Sequence, residues 1–157
     1  MNRIAHSAVF RQARTIALYW SLPDELSTHA SVRIWSLSKR IVLPVVEGSE
    51  MRFYPYDPTQ PLSPGAFDIP CPTVTEECPP ETIDLMILPG TAFDIFYGRL
   101  GRGKGFYDRY LSQPEASRIF KAGVCFDCQL EKELPREDHD RKMDAIFTPN
   151  RLLIQGE

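Results

Sequence analysis

The sequence predicts an α/β fold, specifically a three-layer α/β/α sandwich with a mostly parallel central sheet. Two observations support this prediction. Apolar, β-branched runs of strand length recur along the chain, and segments with helical spacing lie between them. We expect one domain covering residues 1–157, because 43% of the residues are hydrophobic and no repeat or change of composition marks a boundary.

The N-terminal quarter predicts a weak helix at 4–13, a buried strand at 15–20 and a helix from Asp24 or Ser27 to Lys39. Apolar residues of the second helix recur at helical spacing and predict its buried face. They are Leu26, Ala30, Ile34 and Leu37.

Further strands are predicted at 40–46, 83–88, 118–125 and 145–148, with edge strands at 51–56 and 151–154. Half of the fourteen prolines lie between residues 57 and 80, which predicts a wrapped loop with at most one short helical turn. A helix is predicted from Tyr107 to about Gln113.

The net charge of −3 argues against nucleic acid as the main partner, since a phosphate backbone demands a broad basic face. No apolar run approaches the roughly 18 residues that a membrane span needs, and no export signal opens the chain. We therefore expect a cytoplasmic monomer that binds small molecules, with no nucleic acid and no membrane partner.

The four cysteines are expected to be thiols in this reducing setting. Cys125 and Cys128 form a C-x-x-C pair, but Cys71 and Cys78 lie among prolines at a spacing that does not suit a Cys₄ zinc site. Packing or surface thiols are a better interpretation than zinc or redox chemistry.

The stretch from Gly98 to Asp108 contains four of the nine glycines and three cations. Glycine lets main-chain N–H groups approach an anion, and a helix beginning after Gly105 would direct its N terminus toward the same point. The stretch therefore predicts a phosphate-binding loop that follows a strand. A true P-loop is disfavoured because Gly105 stands where Ser or Thr should hold Mg²⁺, and a flexible surface loop stays open as an alternative.

Residues 88–111 resemble the signature of the 5-formyltetrahydrofolate cyclo-ligase (5,10-methenyltetrahydrofolate synthetase) family, P-G-x-A-F-D followed by G-x-R-L-G-x-G-x-G-Y-Y-D-R. Phe106 departs mildly, since the family usually has Tyr there. The resemblance runs from about Ala13 to the C terminus and includes 19–25 and the acidic segment 134–140. It implies a Rossmann-like architecture (NagB/RpiA/CoA transferase-like).

The resemblance implies ATP- and Mg²⁺-dependent conversion of 5-formyltetrahydrofolate to 5,10-methenyltetrahydrofolate, with release of ADP and phosphate. The formyl oxygen would first be phosphorylated to an iminium phosphate. The implied catalytic residues are Lys104 and Arg102, and the implied metal ligands are Asp108 and Asp140. From spacing alone, Asp144 would share a helical face with Asp140 and stays open as an alternative to it. ATP binding is implied for Arg99, Leu100, Gly101, Arg102, Gly103, Lys104, Gly105, Phe106 and Tyr107. Folate binding is implied for Trp20, Glu25, Arg102, Gly103, Lys104, Gly105 and Phe106.

Several of these residues have simpler interpretations from sequence alone. Trp20 also suits core packing, Glu25 and Asp108 suit the first turn of a helix, and Asp140 suits an exposed acidic turn. Cys71 stands where the family usually has Glu, so we assign it no role.

The family usually carries a further N-terminal helical segment with a Lys and an Arg that contact ATP, and this chain is expected to lack it. Two alternatives therefore stay open. One is a non-catalytic folate- or nucleotide-binding remnant, and the other is a sugar-phosphate binding or isomerising protein of the same architecture.

Overall fold

The structure is a computed structural model that describes residues 1–73, 76–135 and 141–155. The helices are α1 (Asn2–Ala5), α2 (Ala8–Gln12), α3 (His29–Trp35) and α4 (Phe106–Leu111). The strands are β1 (Thr15–Ala17), β2 (Arg40–Glu47), β3 (Glu50–Pro55), β4 (Leu85–Leu88), β5 (Ala92–Asp94), β6 (Arg99–Leu100), β7 (Phe120–Val124), β8 (Leu130–Glu131), β9 (Ala145–Phe147) and β10 (Leu152–Ile154).

Strands of the described residues form a seven-stranded sheet in the order β10-β9-β7-β4-β1-β2-β3. The pairs β1–β2, β1–β4, β4–β7 and β7–β9 are parallel. The edge strands β3 and β10 pair antiparallel with their neighbours. The predicted mostly parallel sheet is therefore confirmed, with both predicted edge strands at its margins.

Side chains along the central strands alternate between two buried clusters, one on each face of the sheet. In β4, Leu85 and Ile87 pack in the cluster that includes Phe10 and Trp35, on the side of α2 and α3. Met86 and Leu88 pack in the other cluster, which includes Tyr110 of α4. Helices thus cover both faces of the sheet, and the predicted three-layer α/β/α architecture is confirmed.

The predicted buried face of the second helix is wrong. Ile34 and Leu37 are 63% and 80% exposed, whereas Val32 and Trp35 are buried. The hydroxyl of Thr28 donates to the main-chain oxygen of Tyr19, so the chain up to Thr28 is fixed to the end of β1. The helix begins only at His29. The ring of Trp35 packs against the ring of Phe10, with centroids 4.6 Å apart.

A hairpin that the sequence did not predict follows β4 and includes the first residues of the glycine-rich loop. Strands β5 and β6 pair antiparallel, and β8 joins β5 to give a small sheet in the order β6-β5-β8. The fully buried carboxylate of Asp94 accepts hydrogen bonds from the main-chain N–H groups of Phe96, Gly98 and Leu134 at 2.8–2.9 Å. The glycine-rich loop follows a strand and precedes a helix, as predicted, but this hairpin is inserted after β4.

The proline-rich segment is a wrapped loop, as predicted, across its described residues 57–73 and 76–80. It contains a 3-10 turn at Ala66–Asp68 and a short antiparallel contact between Ser63 and Cys71, and a second 3-10 turn begins at its last residue, Pro80. Phe67 and Asp68 both adopt positive φ, at 58° and 59°. The segment therefore presents Phe67 in a conformation that bulky side chains rarely adopt.

The described residues include no helix with the length and apolar character that crossing a membrane requires.

Cys125 of the C-x-x-C pair is buried, and burial raises the pKa of its thiol to about 12. A redox-active cysteine needs a lowered pKa instead.

Candidate active site

A cavity of about 710 Å³ lies where the chain leaves β1 and β4 and along the second half of β2. Open α/β sheets usually bind ligands at the carboxyl ends of their parallel strands. Apolar side chains make up much of its wall: Tyr19, Leu22, Pro44, Val45, Val46, Met51, Pro64, Ala66, Phe67, Ile69, Pro89 and Pro135. The cavity is of a size that takes a drug-sized molecule.

Nearly all residues that the sequence singles out for a site line this one cavity. They are Trp20, Glu25, Arg99, Leu100, Gly101, Arg102, Gly103, Lys104, Gly105, Phe106, Tyr107 and Asp108. Asp140 lies outside the described residues. Asp144 is positioned elsewhere, since its carboxylate accepts a hydrogen bond from the N–H of Lys121 at 2.8 Å and pairs with the ammonium of Lys121 at 3.1 Å.

The glycine-rich loop depends on backbone conformations that favour glycine. Gly103 and Gly105 have φ of +91° and +70°, and Gly105 immediately precedes α4. Helix α4 has six residues, so it is shorter than the helix predicted to Gln113.

One side of the loop is joined to the segment after β1. The guanidinium of Arg102 pairs with Asp24 at 2.8 Å and lies 3.8 Å from Glu25. The hydrogen bond from Arg102 holds the pKa of Asp24 below its usual range. Glu25 also accepts a hydrogen bond from the N–H of Leu22 at 2.8 Å, which fixes its carboxylate beside the cavity.

The other side of the loop meets the proline-rich segment. The ammonium of Lys104 lies 5.7 Å from the ring centroid of Phe67, and the rings of Phe67 and Phe106 are 6.1 Å apart. Within the described residues, this ammonium has neither a hydrogen bond nor an ion pair. Phe67 is a candidate site residue that the sequence did not reveal, because a positive φ within a proline-rich loop leaves no periodic signal.

Arg99 lies beneath the loop rather than on its surface. Its side chain is 7% exposed, and its Nε donates to the main-chain oxygen of Pro89 at 2.7 Å. The guanidinium is 5.0 Å from the ring of Tyr107 and 4.0 Å from the carboxylate of Asp108. Burial raises the pKa of Tyr107, so its hydroxyl stays protonated at neutral pH. Contact of Arg99 with ATP stays a prediction.

The ring of Trp20 both packs and borders the cavity. It stacks on His29 with centroids 3.9 Å apart and planes at 11°, and Arg33 lies 5.7 Å from its centroid. The Nε2 of His29 is 2.9 Å from the main-chain oxygen of Ser21, which fixes the imidazole behind the indole. Trp20 is therefore a supported aromatic wall of the cavity.

The sequence profile of the 5-formyltetrahydrofolate cyclo-ligase family matches residues 1–149. The match begins at residue 1, whereas the resemblance was expected to begin at about Ala13. The 5-formyltetrahydrofolate cyclo-ligase of Escherichia coli strain K12 is 34% identical over 146 residues, which cover 89% of this chain and 80% of that protein. The Haemophilus influenzae protein of the same name is 35% identical over 136 residues, covering 83% and 73% of the two chains.

Solved structures agree with these sequence relatives. The NMR structure of Aquifex aeolicus 5,10-methenyltetrahydrofolate synthetase superimposes with a TM-score of 0.86 at 30% identity, covering 99% of this chain and 79% of that one. A 5,10-methenyltetrahydrofolate synthetase from Mycoplasma pneumoniae gives a TM-score of 0.70 at 25% identity, with coverage of 92% and 79%.

Proposed function

This chain belongs to the 5-formyltetrahydrofolate cyclo-ligase family, and we propose that it converts 5-formyltetrahydrofolate to 5,10-methenyltetrahydrofolate with ATP and Mg²⁺. The observation that carries the proposal is the shared cavity. Cations of the glycine-rich loop, Trp20 and Glu25 come from separate parts of the chain and line one space.

The chemistry requires a better leaving group than the formyl oxygen. That oxygen attacks the γ-phosphorus of ATP, the bond from phosphorus to the bridging oxygen breaks, and ADP leaves. N10 of the folate then attacks the formyl carbon and loses its proton. Cleavage of the carbon–oxygen bond releases phosphate and leaves the methenyl bridge.

Phosphoryl transfer is catalysed mainly by positioning and by neutralising charge. Lys104 and Arg102 are exposed cations on a loop whose glycines allow close main-chain approach, and we assign them to the transferred phosphoryl group. The apolar wall near Phe67 and Phe106 suits the exclusion of water from bound substrate, which would protect a phosphorylated formyl group from hydrolysis. Neither step needs a Ser, Cys or His nucleophile.

The folate is a flat heteroaromatic with hydrogen-bond donors on its pterin edge. The carboxylate of Glu25 is 12% exposed and held in place, so it suits recognition of those donors. Aromatic faces of Trp20 and Phe106 suit stacking against the ring system.

The residues present fit Mg²⁺ at Asp108. Its carboxylate lines the cavity and is 21% exposed. Its Oδ1 lies 4.0 Å from Arg99 and accepts a hydrogen bond from the N–H of Arg141 at 3.5 Å, whereas Oδ2 has no partner among the described residues. The described residues also contain no cluster of three or more metal-ligating side chains. Mg²⁺ commonly uses one or two carboxylates together with substrate phosphates and waters, so Asp108 supplies the protein oxygen of such a set. The ion would neutralise charge on the phosphates.

The test is an absorbance assay for methenyltetrahydrofolate with 5-formyltetrahydrofolate, ATP and Mg²⁺. We expect turnover that requires all three. Folate binding without turnover would indicate a non-catalytic binding protein, and failure to bind folate would overturn the proposal in favour of another ligand such as a sugar phosphate.

A further inference from the structure

We propose that Arg109 is a positioning residue that fixes the glycine-rich loop and, through it, the ammonium of Lys104. This role rests on the proposed function, because it concerns the loop assigned to the phosphates. Arg109 lies in α4, outside the lining of the main cavity in the described part of the chain.

Two nitrogens of the Arg109 guanidinium bind main-chain oxygens from different segments. Nη1 donates to the oxygen of Lys104 at 2.8 Å, and Nη2 donates to the oxygen of Ser49 at 2.9 Å. Ser49 lies in the turn between β2 and β3, so one planar group ties the loop to an edge of the central sheet. A lysine ammonium is a point charge and lacks this rigid fork.

Two further contacts hold the guanidinium in place. Its carbon lies 5.1 Å from the ring centroid of Phe106. A Cβ added to Gly105 would lie 3.0 Å from Nη1, so the guanidinium occupies the space that the missing side chain leaves. No carboxylate of the described residues lies within ion-pair distance of Arg109. Its charge is therefore directed to the two carbonyls and the ring rather than to a surface ion pair.

The bridge made by Arg109 sets the position of Lys104. Glycines at 103 and 105 give the loop many alternative conformations, so something outside the loop must select one of them. Arg109 does so by fixing the Lys104 carbonyl, which leaves the Lys104 side chain directed toward Phe67. Misplacing a catalytic group by about 1 Å can cost about 100-fold in rate.

The first test needs no turnover and asks whether Arg109 holds the loop. Trypsin cleaves after Lys104, at the very carbonyl that Arg109 binds. We expect Arg109→Gln and Arg109→Lys each to accelerate native-state cleavage of the Lys104–Gly105 bond by about ten-fold, because the loop opens more often. The exposed Arg118 provides a matched control, Arg118→Gln, which should leave the cleavage rate unchanged. Unchanged cleavage in both Arg109 variants overturns the proposal.

The second test uses turnover and separates positioning from a direct charge effect. We expect Arg109→Gln to lower kcat by about 10- to 100-fold with little change in the KM for folate, and to add almost nothing in a Lys104→Met background. Fully additive losses would overturn action through Lys104. Wild-type kcat in Arg109→Lys would overturn the bridging role, because a simple cation would then suffice. If the wild-type protein shows no turnover, the proposed function fails while the cleavage test still decides the role of Arg109.

Discussion

The guanidinium of Arg102 and the carboxylate of Asp24 lie 2.8 Å apart and join the glycine-rich loop to the segment after β1. Both side chains are well exposed, at 47% and 70%. The pair therefore competes with any phosphate that Arg102 binds. Asp24 thus fixes the position of the Arg102 guanidinium and also offsets its positive charge.

Replacing this carboxylate by an amide should favour the anionic substrate. We expect Asp24→Asn to lower the KM for ATP by less than about five-fold, the scale of one exposed ion pair. The shift should shrink as salt is added, because exposed charges are screened. Steady-state kinetics at low and high ionic strength measure it, with the exposed Glu115→Gln as control. A rise in KM would mean that Asp24 mainly orients Arg102.

Lys104→Met removes the cation and keeps most of the aliphatic stem. If Lys104 neutralises the transferring phosphoryl group, kcat at saturating ATP should fall by about 10²–10³. The free energy of unfolding should stay within about 0.5 kcal/mol, because Lys104 lies on an exposed loop. Lys132→Met, at another exposed lysine, should leave both quantities unchanged. Near-normal kcat in Lys104→Met would transfer the role to Arg102 and Arg99.

Asp108→Asn should lower ATP-dependent activity and weaken its dependence on Mg²⁺, while folate binding changes little. A carboxylate supplies the full charge that hard Mg²⁺ ligation favours, and an amide does not. Titrating Mg²⁺ in the turnover assay and folate in a binding assay separates the two effects. Equal loss of folate affinity and activity would assign Asp108 a structural role.

Cys71 provides a chemical probe of the cavity, since it lies in the wall beside Ile69 and Gly65. Burial raises the pKa of its thiol, so less thiolate is present at neutral pH than in a free cysteine. Its alkylation by iodoacetamide should still accelerate above pH of about 8.5, where a free cysteine is half ionised. Bound folate should slow this reaction but not that of the exposed Cys128, as peptide mass spectrometry would show. Equal rates at Cys71 with and without folate would place the ligand elsewhere.

The sheet could be predicted well from sequence because its central strands are short, continuous apolar runs rich in β-branched residues, which is typical of strands covered on both faces. The buried face of α3 could not be predicted in the same way. The interpretation relied on the spacing of Leu26, Ala30, Ile34 and Leu37, which assumed a helix that began before His29. The actual start depends on Thr28 bonding to the main chain of Tyr19, which is a tertiary contact.

The candidate site likewise combines residues that local sequence reveals with residues that only tertiary contacts bring in. The glycine-rich loop is local in sequence, and its residues could be identified together. Phe67 reaches the loop only through a positive φ in a distant segment, and Arg109 acts through carbonyls of Lys104 and Ser49. Local spacing contains no information about either contact.

We propose that this cavity transfers a phosphoryl group from ATP to the formyl oxygen. The most direct measurement uses 5-formyltetrahydrofolate carrying ¹⁸O in the formyl group, with mass analysis of the released phosphate. Because the carbon–oxygen bond breaks only after phosphorylation, we expect the label to appear in inorganic phosphate, matched to the methenyltetrahydrofolate formed. Unlabelled phosphate, with the ¹⁸O recovered in water, would contradict the account.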